Sequence, residues 1–172
     1  MKDETKKQLE AILGAYDVKL AEVARVAEAL RAAQAAFPAR FAAARTRTIR
    51  PAIQEFADLF NGQGHEASVN EQEESSGAVG GVGGVTAAGI TLRIVPKPFA
   101  HNAADKTKRV SIEIAFAANR NERKIVVSSS NTMMNSSGSL GKRGEYEVEA
   151  MTAEVIAHHV IQTVQEAFAG TR

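Results

Sequence analysis

Hydrophobic positions in the first third of the chain recur at alternating spacings of four and three. Leu9, Leu13, Tyr16, Leu20, Val23, Ala27, Leu30, Gln34, Phe37, Phe41, Ala44 and Thr48 fall on one seam. This is a heptad pattern, the signature of a helix that buries a narrow stripe against another helix. Between the seam positions stand Lys, Glu, Arg and Ala, all good helix formers. The pattern predicts a helix from about Asp3 to Thr48, roughly 65 Å long at 1.5 Å per residue. Such a helix cannot cover its own stripe. It needs its second half folded back or a second copy of the chain.

Two prolines shape this arm. Pro38 has no N–H for the carbonyl of Gln34, and its ring crowds that turn. Its neighbours are alanines with no glycine, so a kinked but continuous helix is expected. Pro51 suits the first turn of a second helix, where its missing donor costs little. Ile53, Phe56 and Phe60 share one face of that helix over 51–61, and Gly62 ends it.

Periodicity then changes. Residues 65–86 combine Glu71, Glu73 and Glu74 with Gly77, Gly80, Gly81, Gly83 and Gly84, the composition of a flexible linker or a hairpin tip. Ala67 to Val69 is a candidate edge strand. Beyond it, Ile90, Leu92 and Ile94 alternate with polar positions, as do Val110, Ile112, Ile114 and Phe116. Ile125-Val126-Val127 and the alternation of Tyr146 and Val148 with Glu145, Glu147 and Glu149 add two more runs. Four short strands with brief connections predict an antiparallel meander. Thr152 can cap a last helix whose stripe is Val155, Ile156, Val160, Val164 and Phe168. The expected fold class is α+β: a helical arm over 1–64, a linker over 65–86, and a four-stranded sheet closed by a C-terminal helix over 87–172.

Three features carry a resemblance. Arg50-Pro51 opens a helix ending near Gly64-His65; a strand of the Ile90–Val95 type follows; and Gly141-Lys142-Arg143-Gly144-Glu145-Tyr146 precedes the Thr152-initiated helix. From Ile49 to Phe168 the chain resembles an uncharacterised bacterial family. The resemblance implies a shared fold and assigns no site residues.

Composition narrows the chemistry. There is no Cys in the 172 residues, which excludes disulfides, Cys-ligated zinc, iron–sulfur clusters and thiol catalysis. No apolar run approaches the ~20 residues of a membrane helix. Met1-Lys2-Asp3-Glu4 leads into no apolar signal core, so a cytoplasmic protein without membrane attachment is expected. The net charge of +1 conceals segregation, with an acidic stretch around Glu71, a basic sheet region and an acidic C-terminal segment. Parts of opposite sign attract each other, or the basic part meets an anionic partner.

Candidate sites follow from these charges. Gly138 to Gly144 resembles no nucleotide-binding loop, because Arg143 replaces the Ser or Thr after Gly-Lys and a strand follows. Its glycines and the adjacent Lys142 and Arg143 still suit a phosphate or carboxylate, with Gly141 and Gly144 allowing close approach. The competing reading is a solvated loop whose cations neutralise Glu145 and Glu147. Arg40, Arg45, Arg47 and Arg50 form a second basic stretch, a candidate contact for nucleic-acid phosphates or for acids of a partner. Glu154 and His158 lie one turn apart, but no third metal ligand is evident, so neither a metal nor a cofactor is expected. The chain reads as a non-catalytic assembly or binding protein, dimerising or forming a higher homo-oligomer through the arm and presenting a basic sheet face and loop to a partner. A nucleic-acid-associated dimer is the alternative, and an unrecognised enzyme is disfavoured.

Overall fold

A computed structural model of the chain describes residues 3–79, 82–97, 110–132 and 141–169. The chain divides into two compact units, Met1–Phe37 and Pro38–Arg172. Helix α1 (Asp3–Ala44) runs unbroken through Pro38. In the first unit the large apolar residues from Leu9 to Leu30 are open to solvent. Leu9, Leu13, Tyr16, Leu20, Val23 and Leu30 are each 45–60% exposed.

In the second unit α1 passes into a wide turn over Arg45–Ile49, followed by α2 (Arg50–Gly62). Within the wide turn the N–H of Arg50 donates to the carbonyl of Arg45, five residues back. Pro51 explains its place: a normal α-turn would set the proline ring against the carbonyl of Arg47, and widening the turn relieves that clash. The extra residue has a packing result. Phe41, Arg45, Ile49, Ile53 and Ala57 are all buried. A spacing of four overshoots the 3.6-residue α-turn and drifts around the helix. The wide turn resets that drift and keeps the row facing one way.

Among the described residues seven strands follow: β1 (Glu66–Gln72), β2 (Ser75–Val79), β3 (Val82–Thr86), β4 (Gly89–Val95), β5 (Ile112–Asn119), β6 (Lys124–Asn131) and β7 (Gly141–Tyr146). Strands β2 and β3 pair as a separate hairpin. The other five form one antiparallel sheet in the order β1-β4-β5-β6-β7. The sheet is thus five-stranded rather than four-stranded. The fifth member is β1, the candidate edge strand at Ala67 to Val69, which extends over Glu66–Gln72 at the start of the stretch expected to be linker or hairpin. Only Ala67 and Val69 are apolar there, and they pair with Ile94 and Leu92 of β4. The last strand also lies earlier than expected. It ends at Tyr146, and Val148–Ala150 forms a short 3-10 turn.

Ile90, Leu92 and Ile94 of β4 line up with Phe116, Ile114 and Ile112 of β5. With Ile125 and Val127 of β6 they form the buried face. Helix α2 packs over β1 and β4, α3 (Ala153–Ala169) over β5, and the two helices touch. Each large aliphatic side chain buried in this layer is worth about 1.5–3 kcal/mol. Thr152 caps α3, its Oγ1 accepting from the N–H of Val155 at 3.4 Å. The buried face of α3 is Ile156, His159, Val160, Thr163 and Ala167. It is rotated from the expected stripe, so Phe168 and Ile161 are left exposed.

Candidate functional site

The residues proposed from sequence as cationic contacts are brought, with one exception, onto acids of the same unit. Arg45 is buried and bonds the carboxylate of Glu73 and the carbonyl of Gln72, with Glu71 3.6 Å from its Nε. Arg50 reaches Glu71 at 2.7 Å. Arg40 pairs with Glu149, which holds that carboxyl below the usual carboxylate range. Arg47 alone of the four is exposed with no ion pair among the described residues. The arginine run and the acidic stretch therefore neutralise each other across the seam between helix and β1. The outward face of the sheet is balanced in the same way, with Arg93 on Glu113.

Gly138, Ser139 and Leu140 lie outside the described residues. Gly141 to Gly144 belong to β7, not to a loop. Lys142 pairs with Glu145 and lowers its pKa chiefly through that hydrogen bond. Arg143 has a special place. Gly144 faces Val127 and Lys142 faces Ser128, two steps along β7 against one along β6. Arg143 is the extra residue of a β-bulge, which re-aims its side chain. Its Nε donates to Ser129 Oγ at 2.6 Å and its terminal nitrogen to Glu166 of α3.

Beside this bulge the sheet and α3 share a buried polar cluster that the sequence patterns do not reveal. Tyr146 and His159 meet through the phenol oxygen and Nε2 at 2.7 Å, with their rings edge to face. His159 is only 4% exposed. Burial, then the charges of His158 and Arg143, push its pKa below the ordinary histidine value. The tyrosine ring lies back over Gly144, where a Cβ would meet it at 2.8 Å. Glycine is required there for that close approach. His159 Nδ1 and Thr163 Oγ1, one turn apart on α3, are buried with no hydrogen-bond partner among the described residues. The signal for this face is present in the 4-3-4 spacing of Ile156, Val160, Thr163 and Ala167. Chemically, a neutral imidazole bound to a phenol pins α3 onto β7.

A second histidine, His65, closes the other end of the helical layer. Its Nδ1 accepts from the N–H of Lys97 at 3.2 Å, and its ring touches Phe60 and Phe168. Glu154 and His158 are both exposed on α3. Among the described residues no group of three His, Asp or Glu is placed to hold a metal ion. No helix of the described residues is long and apolar enough to cross a membrane.

No family model, curated protein or solved structure matches the chain.

Proposed function

We propose that the protein is an assembly module in which α1 pairs with α1 of a second copy and the sheet unit is carried as a rigid body. The single observation behind this reading is the arm's unpaired stripe. Leu9, Leu13, Leu20, Val23 and Leu30 keep heptad spacing over more than three repeats and are open to water. Exposed apolar surface of this extent on one helix marks an interaction site, and heptad spacing selects a helical partner. Continuity of α1 through Pro38 supports a partner from outside, because residues 3–44 contain no turn about which the arm folds back. Neutralisation of Arg40, Arg45 and Arg50 within the sheet unit disfavours a phosphate backbone as the main partner.

Sedimentation equilibrium at micromolar concentration tests the reading. Twice the chain mass is expected for the wild type. Leu13→Glu with Leu20→Glu should give the monomer mass with the strand content of the sheet unit preserved by circular dichroism. A strictly monomeric wild-type chain removes the proposal.

A further inference from the structure

The arm's side chains also carry a direction for that pairing. This inference rests on the assembly reading above and deepens it. We infer that two copies of α1 associate antiparallel, in the register that sets Leu20 beside Val23 of the second copy.

Two independent features point the same way. The first is volume. Leu9, Tyr16, Val23 and Leu30 occupy one set of core positions in the heptad, and Leu13, Leu20, Ala27 and Gln34 the other. In a parallel, in-register pair each residue faces its own copy. Tyr16 then crowds Tyr16 and Ala27 leaves a gap against Ala27. In the antiparallel register the two sets face each other. Ala27 receives Tyr16, Leu13 meets Leu30, and Leu20 meets Val23. Gln34 meets Leu9 in the outermost core layer of this set, toward each end of the overlap. Large against small is the arrangement that fills a helix–helix core.

The second feature is charge. The positions flanking the core on one side are Glu10, Asp17, Ala24 and Arg31, and on the other Ile12, Lys19, Val26 and Ala33. A parallel pair brings Ile12 near Asp17, Lys19 near Ala24 and Val26 near Arg31, so no opposite charges meet. The antiparallel register sets Arg31 of one copy between Glu10 and Asp17 of the other, offset from Glu10 by only two residues, or ~3 Å along the axis. Symmetry repeats the contact. Arg31 and Asp17 carry no ion pair within their own chain among the described residues, whereas Arg25, on the opposite face, is already held by Glu22 at 2.8 Å. Glu10 lies 3.9 Å from Lys6 of its own chain, a looser pair, so Asp17 and Arg31 are the flanking charges of opposite sign left over within one chain that the antiparallel register brings together.

The absence of Cys makes the test direct. Leu9→Cys and Gln34→Cys are made in separate chains, mixed in denaturant, refolded together and oxidised. The inference expects a disulfide-linked dimer from the mixture and little from either variant alone, since the two copies of position 9 would lie ~38 Å apart at 1.5 Å per residue. Efficient linkage of Leu9→Cys with itself would establish a parallel pair and overturn the inference while leaving the assembly reading intact. A dimer by sedimentation that links in neither case overturns the register. A monomer overturns the assembly reading itself. As a second readout, Arg31→Glu should weaken dimerisation roughly two- to thirty-fold, because two exposed ion pairs are lost. Glu10→Arg with Asp17→Arg in the same chain should restore it. A parallel dimer would show neither the loss nor the rescue.

Discussion

Tyr146→Phe isolates one hydrogen bond in the buried cluster and its cost can be worked from the geometry. The substitution removes only the phenol oxygen. The ring keeps its place over Gly144, so no cavity opens. His159 Nε2 loses its partner at 2.7 Å, and Nδ1 already has none among the described residues, on a side chain that is 4% exposed. A buried polar group left unsatisfied costs about 1–3 kcal/mol. Urea unfolding at pH 7.5 and at fixed protein concentration should therefore show that loss. His159→Leu together with Tyr146→Phe should cost less than the two single losses added, because removing both partners strands neither of them. The same histidine imposes a pH dependence. Its proton affinity is lowered in the folded state by burial, then by His158 and Arg143, while in the unfolded chain it titrates near the ordinary value of about 6.5. Below that value the unfolded state binds more protons, so stability is full above about pH 6.5 and falls as the pH drops. The slope approaches at most about 1.4 kcal/mol per pH unit for one proton. His65, whose pKa is lowered by burial and then by Lys97, adds a contribution of the same sign. His159→Leu should flatten the slope below about pH 6.5 and leave the part due to His65. If Tyr146→Phe changes stability by less than about 0.5 kcal/mol, below the range for a stranded buried group, or His159→Leu keeps the full slope, the reasoning fails.

Gly144→Ala should displace the Tyr146 ring from its 2.8 Å approach and cost about 1–3 kcal/mol, the usual range for overpacking; combined with Tyr146→Ala, most of that loss should vanish in thermal unfolding. Arg45→Ala should destabilise by about 0.5–3 kcal/mol through the lost packing of its buried stem and the lost hydrogen bond to the Gln72 carbonyl, and Arg45→Met, which keeps the stem, should recover part of it. Equal losses for the alanine and methionine variants would assign the whole effect to the guanidinium.

Legibility in the sequence followed the strength of each periodic signal. Helix α1 and strands β4 and β5 were readable because their apolar residues keep one spacing without interruption. Strand β1 was readable only as three residues of candidate edge strand, since two apolar residues among acids give a weak signal, and pairing with β4 extends it to Glu66–Gln72. Strand β7 carries two glycines and three charged residues, and its position is set by β6 rather than by its own propensity. The Tyr146–His159 contact joins residues that become neighbours only when α3 folds over the sheet, and the apolar run from Val155 to Phe168 draws attention to a different face. The arginines from Arg40 to Arg50 were visible, but their neutralisation by Glu71, Glu73 and Glu149 depends on tertiary placement.

The order of the five-stranded sheet leaves β1 and β7 as its two edges. An open edge invites another chain to add a strand, the route to unlimited fibres. Here each edge is blunted. Strand β7 carries Lys142, Arg143 and Glu145 and the bulge at Val127/Ser128, which bends the pairing line. Strand β1 begins with glutamate and ends with glutamine, and its Glu71 is engaged by both Arg45 and Arg50. Growth by strand addition is thus opposed at both ends, while the two-fold helix pairing proposed above would use the same surface on each copy and close on itself. Under that proposal the assembly is a finite particle, and a rise in concentration should fill that particle rather than extend a filament.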